Sequence, residues 1–342
     1  MDERQSLAEL LLQGSRRALA RLITQVENEN PAAQGALRTL YPHTGRAHIV
    51  GVTGAPGSGK STLTNEIAKE FRRTGETIGI VAVDPTSPFS GGALLGDRIR
   101  MRDLSGDAGI FIRSMASRGS LGGLARATSA VVKLLDAAGF EIVLVETVGA
   151  GQSEVDIAKA THTTIVVQAP GMGDDIQAIK AGILEIADIF VVNKADQPGA
   201  ENTVKALQMM QRLGNGPHRH HGEILPLRNG EQRAGGSQPK LEGPAAEGWE
   251  VPIHPTVSIR GEGVAAVVAS IRAHREYLNA SGELHAREAA RVEIEFAMLL
   301  RDALLRDLMG KVSSAQLDAM LGRLIEREID PYTAVAELVQ AR

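Results

Sequence analysis

The chain has 342 residues, 43% of them hydrophobic and only 3% aromatic, so its core has to be built mainly from Ala, Val, Leu and Ile. Its formal net charge of -4 excludes the overall positive field typical of nucleic-acid-binding proteins. The absence of cysteine excludes disulfides, thiolate metal sites and a cysteine nucleophile, and it fits a reducing cytoplasm.

The first part of the chain has helical patterns. Over residues 3–41, apolar side chains recur at helical spacing, with a break at Gly14-Ser15, and we expect residues 1–45 to form an N-terminal helical extension. The start of the chain lacks an apolar signal core, and no stretch approaches about 18 uninterrupted apolar residues. We therefore expect a cytoplasmic protein with no membrane span and no nucleic-acid partner.

Short apolar runs between helical segments predict a parallel sheet. The predicted strands are His48–Thr53, Ile78–Val83, Ile110–Ile112, Ile142–Val145, Thr164–Gln168, Ile189–Val192 and Thr256–Ser258. Because helical patterns separate most of these runs, residues 46–280 are predicted to form an α/β domain with a doubly wound, mostly parallel sheet flanked by helices.

The last third of the chain contains a polar loop and a helical region. Residues 214–250 read as a flexible loop insertion, and their cluster His218, His220 and His221 could bind a transition metal or belong to a disordered polar loop. Residues 281–342 are predicted to be helical. There the apolar residues Ala289, Val292, Phe296, Leu299 and Ala303 predict a buried stripe on a long helix.

A Gly-rich loop after the first strand predicts a phosphate site. The sequence Gly54-Ala55-Pro56-Gly57-Ser58-Gly59-Lys60-Ser61 matches the P-loop pattern in full, and a strand precedes it and an amphipathic helix follows it. Backbone N–H groups and the helix N-terminus bind phosphates in such loops. We expect Lys60 to reach the β- and γ-phosphates, Ser61 to bind Mg²⁺ and Thr62 to lie near the α-phosphate.

Carboxylates at strand ends are the candidates for holding Mg²⁺ or its waters. Asp84 and Glu146 each end a predicted strand, and Asp97 lies in a Gly-rich loop. The alternative for each of the three is a surface carboxylate or a helix cap. Glu146-x-x-Gly149 has the spacing of the GTPase D-x-x-G switch, with Glu in place of Asp. We expect Lys60, Glu146 and Gly149 to carry hydrolysis, with the Gly149 N–H on the γ-phosphate.

Polar side chains near these motifs have open roles. Gln152 lies three residues beyond the switch glycine and could position water, but its register is uncertain. One of Arg98, Arg100 and Arg102 could stabilise transition-state charge, and a solvated basic face is an equal alternative.

The predicted strand at Ile189–Val192 leads into Asn193-Lys194-Ala195-Asp196, the N-K-x-D pattern. An Asp carboxylate can accept hydrogen bonds from guanine N1–H and the 2-amino group, which adenine lacks. We expect Asp196 to select guanine, Asn193 to tie this loop to the P-loop, and the Lys194 stem to cover the base. Backbone N–H groups of Ser258, Ile259 and Arg260 are candidates for contacts with guanine O6.

These motifs together resemble the MeaB/ArgK family, whose GTPases act as chaperones of methylmalonyl-CoA mutase and related adenosylcobalamin-dependent acyl-CoA mutases. The resemblance runs from about residue 5 to residue 310. It is carried by the P-loop, residues 83–88 and 91–98, the segment Glu146–Glu154, and Asn193–Asp196.

The resemblance implies a P-loop GTPase that uses GTP and Mg²⁺, with Ser61, Asp84, Asp97 and Glu146 at the metal and switch positions. It also implies that residues 171–180 communicate with the mutase, with Asp174 and Lys180 as the residues to test, and that a helical arm at 283–309 makes a homodimer. GTP hydrolysis would gate cofactor loading into the mutase and protect it. The loop 214–250 is longer than the family usually has, which leaves the choice of mutase open.

Two other functions remain open from the sequence. A metal-insertion GTPase for another enzyme would share both nucleotide motifs, although the lack of cysteine speaks against it. A P-loop kinase linked to amino-acid transport would share the phosphate loop, but N-K-x-D favours a GTPase.

Overall fold

The computed structural model describes residues 6–85, 102–104, 106–117, 123–147, 157, 160–171, 186–213 and 248–340. Its strands are β1 His48–Gly54, β2 Ile78–Pro85, β3 Ile110–Ser117, β4 Ile142–Thr147, β5 Thr163–Gln168, β6 Ile189–Asn193 and β7 Ile253–Thr256. The helices of the described parts are α1 Leu7–Leu12, α2 Arg16–Glu27, α3 Pro31–Leu40, α4 Lys60–Arg73, α5 Gly123–Ala137, α6 Ala200–Leu213, α7 Val264–Ser281, α8 Glu283–Lys311, α9 Ser314–Ile325 and α10 Pro331–Gln340.

The strands form one seven-stranded sheet in the order β3-β2-β4-β1-β5-β6-β7, and every pairing is parallel. This confirms the predicted doubly wound α/β fold. Strand β1 lies between β4 and β5. The later strands β5, β6 and β7 lie on one side of it and β2, β3 and β4 on the other, so the winding of the chain reverses direction at β1. In such sheets ligands bind at the carboxyl ends of the strands at this point, and the P-loop follows β1 there.

Both faces of the sheet are covered, which explains why the strands are almost continuously apolar. Alternate side chains point to opposite faces. Val81 packs with helices α1–α3 and α5, whereas its neighbour Ile80 packs with α4 and α7. The N-terminal helices are therefore part of the core that covers one face.

The predicted N-terminal helical segment consists of three helices. Gly14, with φ 85°, follows the end of α1. The Ser15 side chain then caps α2 by accepting a hydrogen bond from the Ala18 N–H. Asn30 caps α3 in the same way, and Pro31 follows at the first helical position. The break at Gly14-Ser15 was predicted from the sequence, whereas the break at Asn30 was not.

The last predicted strand was misplaced. Strand β7 spans Ile253–Thr256 instead of Thr256–Ser258, and Ser258–Arg260 forms a 3₁₀ turn. Strand β7 includes Pro255, a residue type that cannot donate a backbone hydrogen bond to a neighbouring strand. Since β7 pairs only with β6, at the edge of the sheet, the missing N–H of Pro255 is tolerated.

The described residues divide into two compact units, one made of those up to residue 291 and the other of residues 292–340. In the second unit, Val292, Phe296 and Leu299 are 48%, 57% and 45% exposed. The predicted buried stripe on this helix is therefore wrong for the single chain, whose apolar side chains here face solvent. The histidines predicted as a possible metal site, His218, His220 and His221, lie outside the described residues. None of the helices in the described part combines the length and apolar character that crossing a bilayer requires.

Candidate nucleotide-binding site

The P-loop joins the end of β1 to the start of α4 and depends on glycine. Gly54 has φ 136°, and a Cβ atom there would lie 2.0 Å from the carbonyl oxygen of Val167 on β5. Gly59, with φ 91°, precedes Lys60 directly, and its Cβ would lie 2.2 Å from the Asn193 side-chain nitrogen. No other residue type fits either position, because both the backbone conformation and the space exclude a side chain.

The Lys60 ammonium lies inside the loop. It donates to the carbonyl oxygens of Gly54 and Ala55 at 2.8 and 2.9 Å, and the residue is only 6% exposed. The lysine of a P-loop is the residue that reaches the β- and γ-phosphates of a nucleotide. The backbone N–H groups at the start of α4 add positive potential at the same place.

Ser61 and Glu146 come together across the sheet. The Ser61 hydroxyl donates to Glu146 Oε1 at 2.5 Å, and the two residues are 8% and 5% exposed. A hydroxyl and a carboxylate are oxygen ligands of the kind that Mg²⁺ prefers. The two predicted metal ligands, which follow β1 and end the adjacent strand β4, therefore meet in a pair that fits this metal.

The other predicted metal and switch residues are only partly described. Asp84 lies near the end of β2, two positions after Ala82, which is in register with Glu146, but only its backbone is described. Arg102 begins a 3₁₀ turn and is likewise described only in its backbone. The remaining candidates lie outside the described residues: Asp97, Arg98, Arg100, Gly149, Gln152, Asp174 and Lys180.

The Asn193 side chain holds three loops together. Its Nδ2 donates to the Ser58 carbonyl of the P-loop at 2.8 Å. Its Oδ1 accepts from the Thr256 hydroxyl and from the Ser258 N–H and hydroxyl, at 3.2, 3.1 and 2.8 Å. The contact with the P-loop was predicted from the sequence, whereas the contacts with Thr256 and Ser258 were not. Asn193 is 3% exposed, so it serves as a buried link between loops.

The residues after Asn193 turn outwards. Lys194 has φ 57°, a left-handed conformation that is uncommon outside glycine. Two residues further on, the exposed Asp196 presents its carboxylate at the surface of the loop. The Ala195 N–H donates to Thr256 O at 2.9 Å and the Gln197 N–H to Lys194 O at 2.9 Å. The backbone under Asp196 is therefore fixed.

Two of the three backbone N–H groups that were predicted to contact guanine O6 already bond to protein acceptors. The Ser258 N–H is already bound to Asn193 and the Arg260 N–H donates to Val257 O at 2.9 Å. Of the three predicted amides, only that of Ile259 has no partner within the described ranges. Ile259 is also 82% exposed, next to the loop that carries Asp196.

A second polar cluster lies at the amino ends of the strands, opposite the P-loop, and sequence reasoning missed it. We call it the histidine cluster: His48, His162, Thr163, Asp188 and His274. The Thr163 hydroxyl lies 2.8 Å from both His48 Nε2 and His274 Nδ1, and His274 Nε2 lies 3.3 Å from Asp188. The available local signal was that His48, His162, Thr163 and Asp188 precede or begin apolar strands, but this does not indicate that they meet one another or His274.

Helix α8 is anchored to this cluster. Arg287 donates to both oxygens of the Asp188 carboxylate, at 3.1 and 3.0 Å, and Glu288 contacts His162 Nε2. The Ile49 N–H donates to His162 Nδ1 at 3.1 Å, and Arg291 Nη1 lies 2.8 Å from His162 Nε2. Among the described residues, no group of three or more metal-binding side chains is placed to hold a metal ion.

Burial controls the charge of these histidines. Desolvation lowers the pKa of His48 well below 6.5, and neighbouring His162 and Arg275 lower it further. Desolvation also lowers the pKa of His162, although its hydrogen bond to Glu288 acts in the opposite direction. Both histidines are therefore neutral at pH 7.

Comparison with known proteins indicates the family to which this chain belongs. A family model described as methylmalonyl-CoA mutase-associated GTPase MeaB matches residues 19–313. A protein of Pyrococcus horikoshii named as a GTPase is 45% identical over 333 residues, covering 97% of this chain and 96% of the relative. A Caenorhabditis elegans protein named as a mitochondrial homolog of methylmalonic aciduria type A is 38% identical over 207 residues, covering 56% and 52%.

A solved structure has the same fold over nearly the whole chain. The crystal structure titled LAO/AO transport system kinase covers 98% of this chain and 95% of its own, with a TM-score of 0.66 and 24% identity. At this identity the likeness shows the fold alone. The family match over residues 19–313 and the relative that is 45% identical decide the assignment: the chain belongs to the MeaB family of GTPases.

Proposed function

We propose that this chain hydrolyses GTP to GDP and phosphate with Mg²⁺, and that it acts as a chaperone of an adenosylcobalamin-dependent acyl-CoA mutase such as methylmalonyl-CoA mutase. The observation that carries the nucleotide part is the Asn193 side chain, whose 2.8 Å bond to Ser58 O holds the P-loop beside the N-K-x-D loop. One ligand can then contact both loops, with phosphates at the first and a base at the second.

The P-loop residues bind and orient the triphosphate in this proposal. The Lys60 ammonium, now bonded to Gly54 and Ala55, exchanges these carbonyls for β- and γ-phosphate oxygens. Backbone N–H groups of residues 57–62 surround the phosphates. The glycine conformations at 54, 57 and 59 let these groups point inwards.

Ser61 and Glu146 would hold the metal, either directly or through water. Bound Mg²⁺ supplies positive charge beside the β- and γ-phosphates, where negative charge develops during hydrolysis. Glu146 lies at the carboxyl end of β4, 5% exposed, so it can also accept a hydrogen bond from the attacking water and orient it. The Gly149 N–H is proposed to contact the γ-phosphate and to lose that contact after hydrolysis.

Asp196 is the proposed guanine reader. Its carboxylate is 41% exposed on a fixed backbone and can accept from guanine N1–H and the 2-amino group. The Ile259 N–H is the remaining candidate donor to guanine O6. ATP would leave the carboxylate without these partners, which costs binding energy.

The family description and the Caenorhabditis elegans relative support a mutase as the partner. We propose that nucleotide-dependent changes in the switch loops control cofactor loading and protection of the mutase. The exposed apolar side chains of α8, in the C-terminal helical region, are proposed to form a homodimer, because contiguous apolar surface of this kind marks protein interfaces. These side chains are Val292, Phe296, Leu299, Leu304, Leu305 and Met309.

Isothermal titration calorimetry tests the nucleotide part. GDP with Mg²⁺ should give heat and ADP should give little, and Lys60→Ala should remove the GDP signal. Asp196→Ala should relax the preference for guanine. Lys205→Ala, which removes an exposed lysine on α6, is the matched control and should bind as wild type. Absence of heat with any guanine nucleotide would refute the proposal.

Mutase protection tests the chaperone part. A purified methylmalonyl-CoA mutase should lose activity more slowly during turnover when this chain and GTP are present, and Lys60→Ala should remove the effect. Equal inactivation rates with and without the chain, together with no complex in gel filtration in any nucleotide state, would refute this partner. Light scattering tests the dimer. Phe296→Ser should give monomers, whereas Tyr41→Ser, which removes another exposed aromatic side chain, should not.

A further inference from the structure

The Asp196 carboxylate has a single side-chain partner in the described part of the chain. Arg260 Nη1 lies 3.5 Å from Asp196 Oδ2, and the two side chains are 52% and 41% exposed. The backbone below Asp196 is fixed by the bonds of Ala195 and Gln197. Among the described residues no other side chain bonds to this carboxylate, so Arg260 is the group that orients it.

Arg260 is held in place independently. The Val257 N–H donates to Glu262 O at 3.1 Å, and Gly261, with φ 71°, closes the 3₁₀ turn between them. The Glu262 carboxylate accepts from Arg260 Nε at 2.7 Å and Nη2 at 3.4 Å. One edge of the guanidinium is therefore occupied by Glu262.

This arrangement limits what Arg260 can do to Asp196. Because its Nε–Nη2 edge is bound to Glu262, Arg260 reaches Asp196 with Nη1 alone. A carboxylate oxygen has two acceptor positions, so Asp196 Oδ2 can accept from Arg260 and from guanine together. If Arg260 instead clamped both oxygens, it would compete with the two guanine donors.

We propose that Arg260, held by Glu262, is a positioning residue that orients the Asp196 carboxylate for guanine and so sets the selectivity for this base. The inference rests on the proposed guanine site and adds a residue that acts through Asp196 and not on the nucleotide. An exposed ion pair is worth little on its own. Here the effect of the ion pair is measured as a change in the affinity for GDP, because guanine binding requires a fixed Asp196 carboxylate.

A double-mutant cycle with GDP and Mg²⁺ in calorimetry tests the inference. Arg260→Ala should weaken GDP about five- to tenfold, within the range of coupled neighbours. In the Asp196→Ala background the same change should alter the affinity less than twofold. Arg73→Ala is the matched control: it removes an exposed, ion-paired arginine in the last turn of α4, ~20 Å along the helix from the P-loop.

Two further measurements separate positioning from direct contact. Inosine diphosphate lacks the 2-amino group, so Arg260→Ala should lower the ratio of GDP to IDP affinity, whereas loss of a direct contact would weaken both equally. Glu262→Gln should weaken GDP about threefold in the wild-type background and not in Arg260→Ala. Equal effects of Arg260→Ala with and without Asp196 would overturn the inference.

The outcomes also distinguish this inference from the proposed function. If Asp196→Ala keeps full preference for GDP over ADP, the guanine site itself is misassigned. If Asp196→Ala loses the preference and Arg260→Ala acts independently of it, only the positioning role fails. Thermal melting of each variant should match wild type, since both side chains are about half exposed.

Discussion

Replacing Asn193 by alanine tests whether the link between the loops is needed for stability and for nucleotide binding. The truncation removes four hydrogen bonds and leaves the Ser58 carbonyl and the Ser258 N–H without a partner. Ser58 and Ser258 are 0% and 2% exposed. A buried polar group left unpaired costs about 1–3 kcal/mol, so the two together cost about 2–6 kcal/mol.

We expect about 3 kcal/mol, towards the lower end, because the hydroxyls of Thr256 and Ser258 can turn to new partners. A domain is stable by roughly 5–15 kcal/mol, so the variant should still fold. If nucleotide binding has to restore the loop arrangement, the same free energy is subtracted from binding. At about 1.4 kcal/mol for each factor of ten, GDP should bind roughly 100-fold more weakly.

Urea denaturation and calorimetry with GDP and Mg²⁺ measure the two effects on the same protein. Asn193→Asp separates the two ends of the side chain, because it keeps the acceptor but places an oxygen against the Ser58 carbonyl. It should weaken GDP as much as alanine does. Asn202→Ala, an exposed asparagine on α6, is the control and should change neither quantity. Wild-type affinity for GDP in both Asn193 variants would refute the linking role.

Three other predictions concern the glycines and the histidine cluster. Gly54→Ala should abolish GDP binding because its Cβ would lie 2.0 Å from a carbonyl oxygen of β5, whereas Gly75→Ala, with φ 96° and open space around it, should cost only about 1 kcal/mol in urea denaturation. The pKa of His162 is lowered in the fold, so its contribution is complete above about pH 6.5 and is lost as the pH falls below it, because the unfolded chain then binds the proton more readily. Unfolding free energies at pH 7.5 and 5.5 should therefore differ less in His162→Gln than in wild type; an unchanged difference would contradict the neutral buried state. Arg287→Ala should destabilise the fold by about 3 kcal/mol because it leaves the buried Asp188 carboxylate without its cation, and adding Asp188→Asn should recover part of this loss in the same assay.

Local patterns were sufficient to predict most of the sheet and the nucleotide loops. The P-loop and N-K-x-D are short local strings, each directly after an apolar strand, so the sequence alone indicated where the candidate site lies. The fold prediction was correct for the same reason, since β1, β4, β5 and β6 are apolar runs bounded by turns.

Features that depend on distant contacts could not be predicted. The bounds of β7 are one example, because a strand that contains Pro255 is tolerated only at the edge of the sheet and its edge position follows from the pairing with β6. The apolar stripe around Phe296 has the same spacing whether it is buried or exposed, so the sequence could not decide between them. The histidine cluster joins residues more than 100 positions apart, such as His48 and Thr163, and no local pattern links them.

The closeness of Gly59 to Asn193 restricts how this protein can change during evolution. A Cβ atom at position 59 would fall 2.2 Å from the Asn193 amide nitrogen, which is the atom that bonds to Ser58. A side chain at 59 would thus require a smaller residue at 193, and that second substitution would separate the loops. Position 59 is therefore expected to require glycine for as long as Asn193 links the loops.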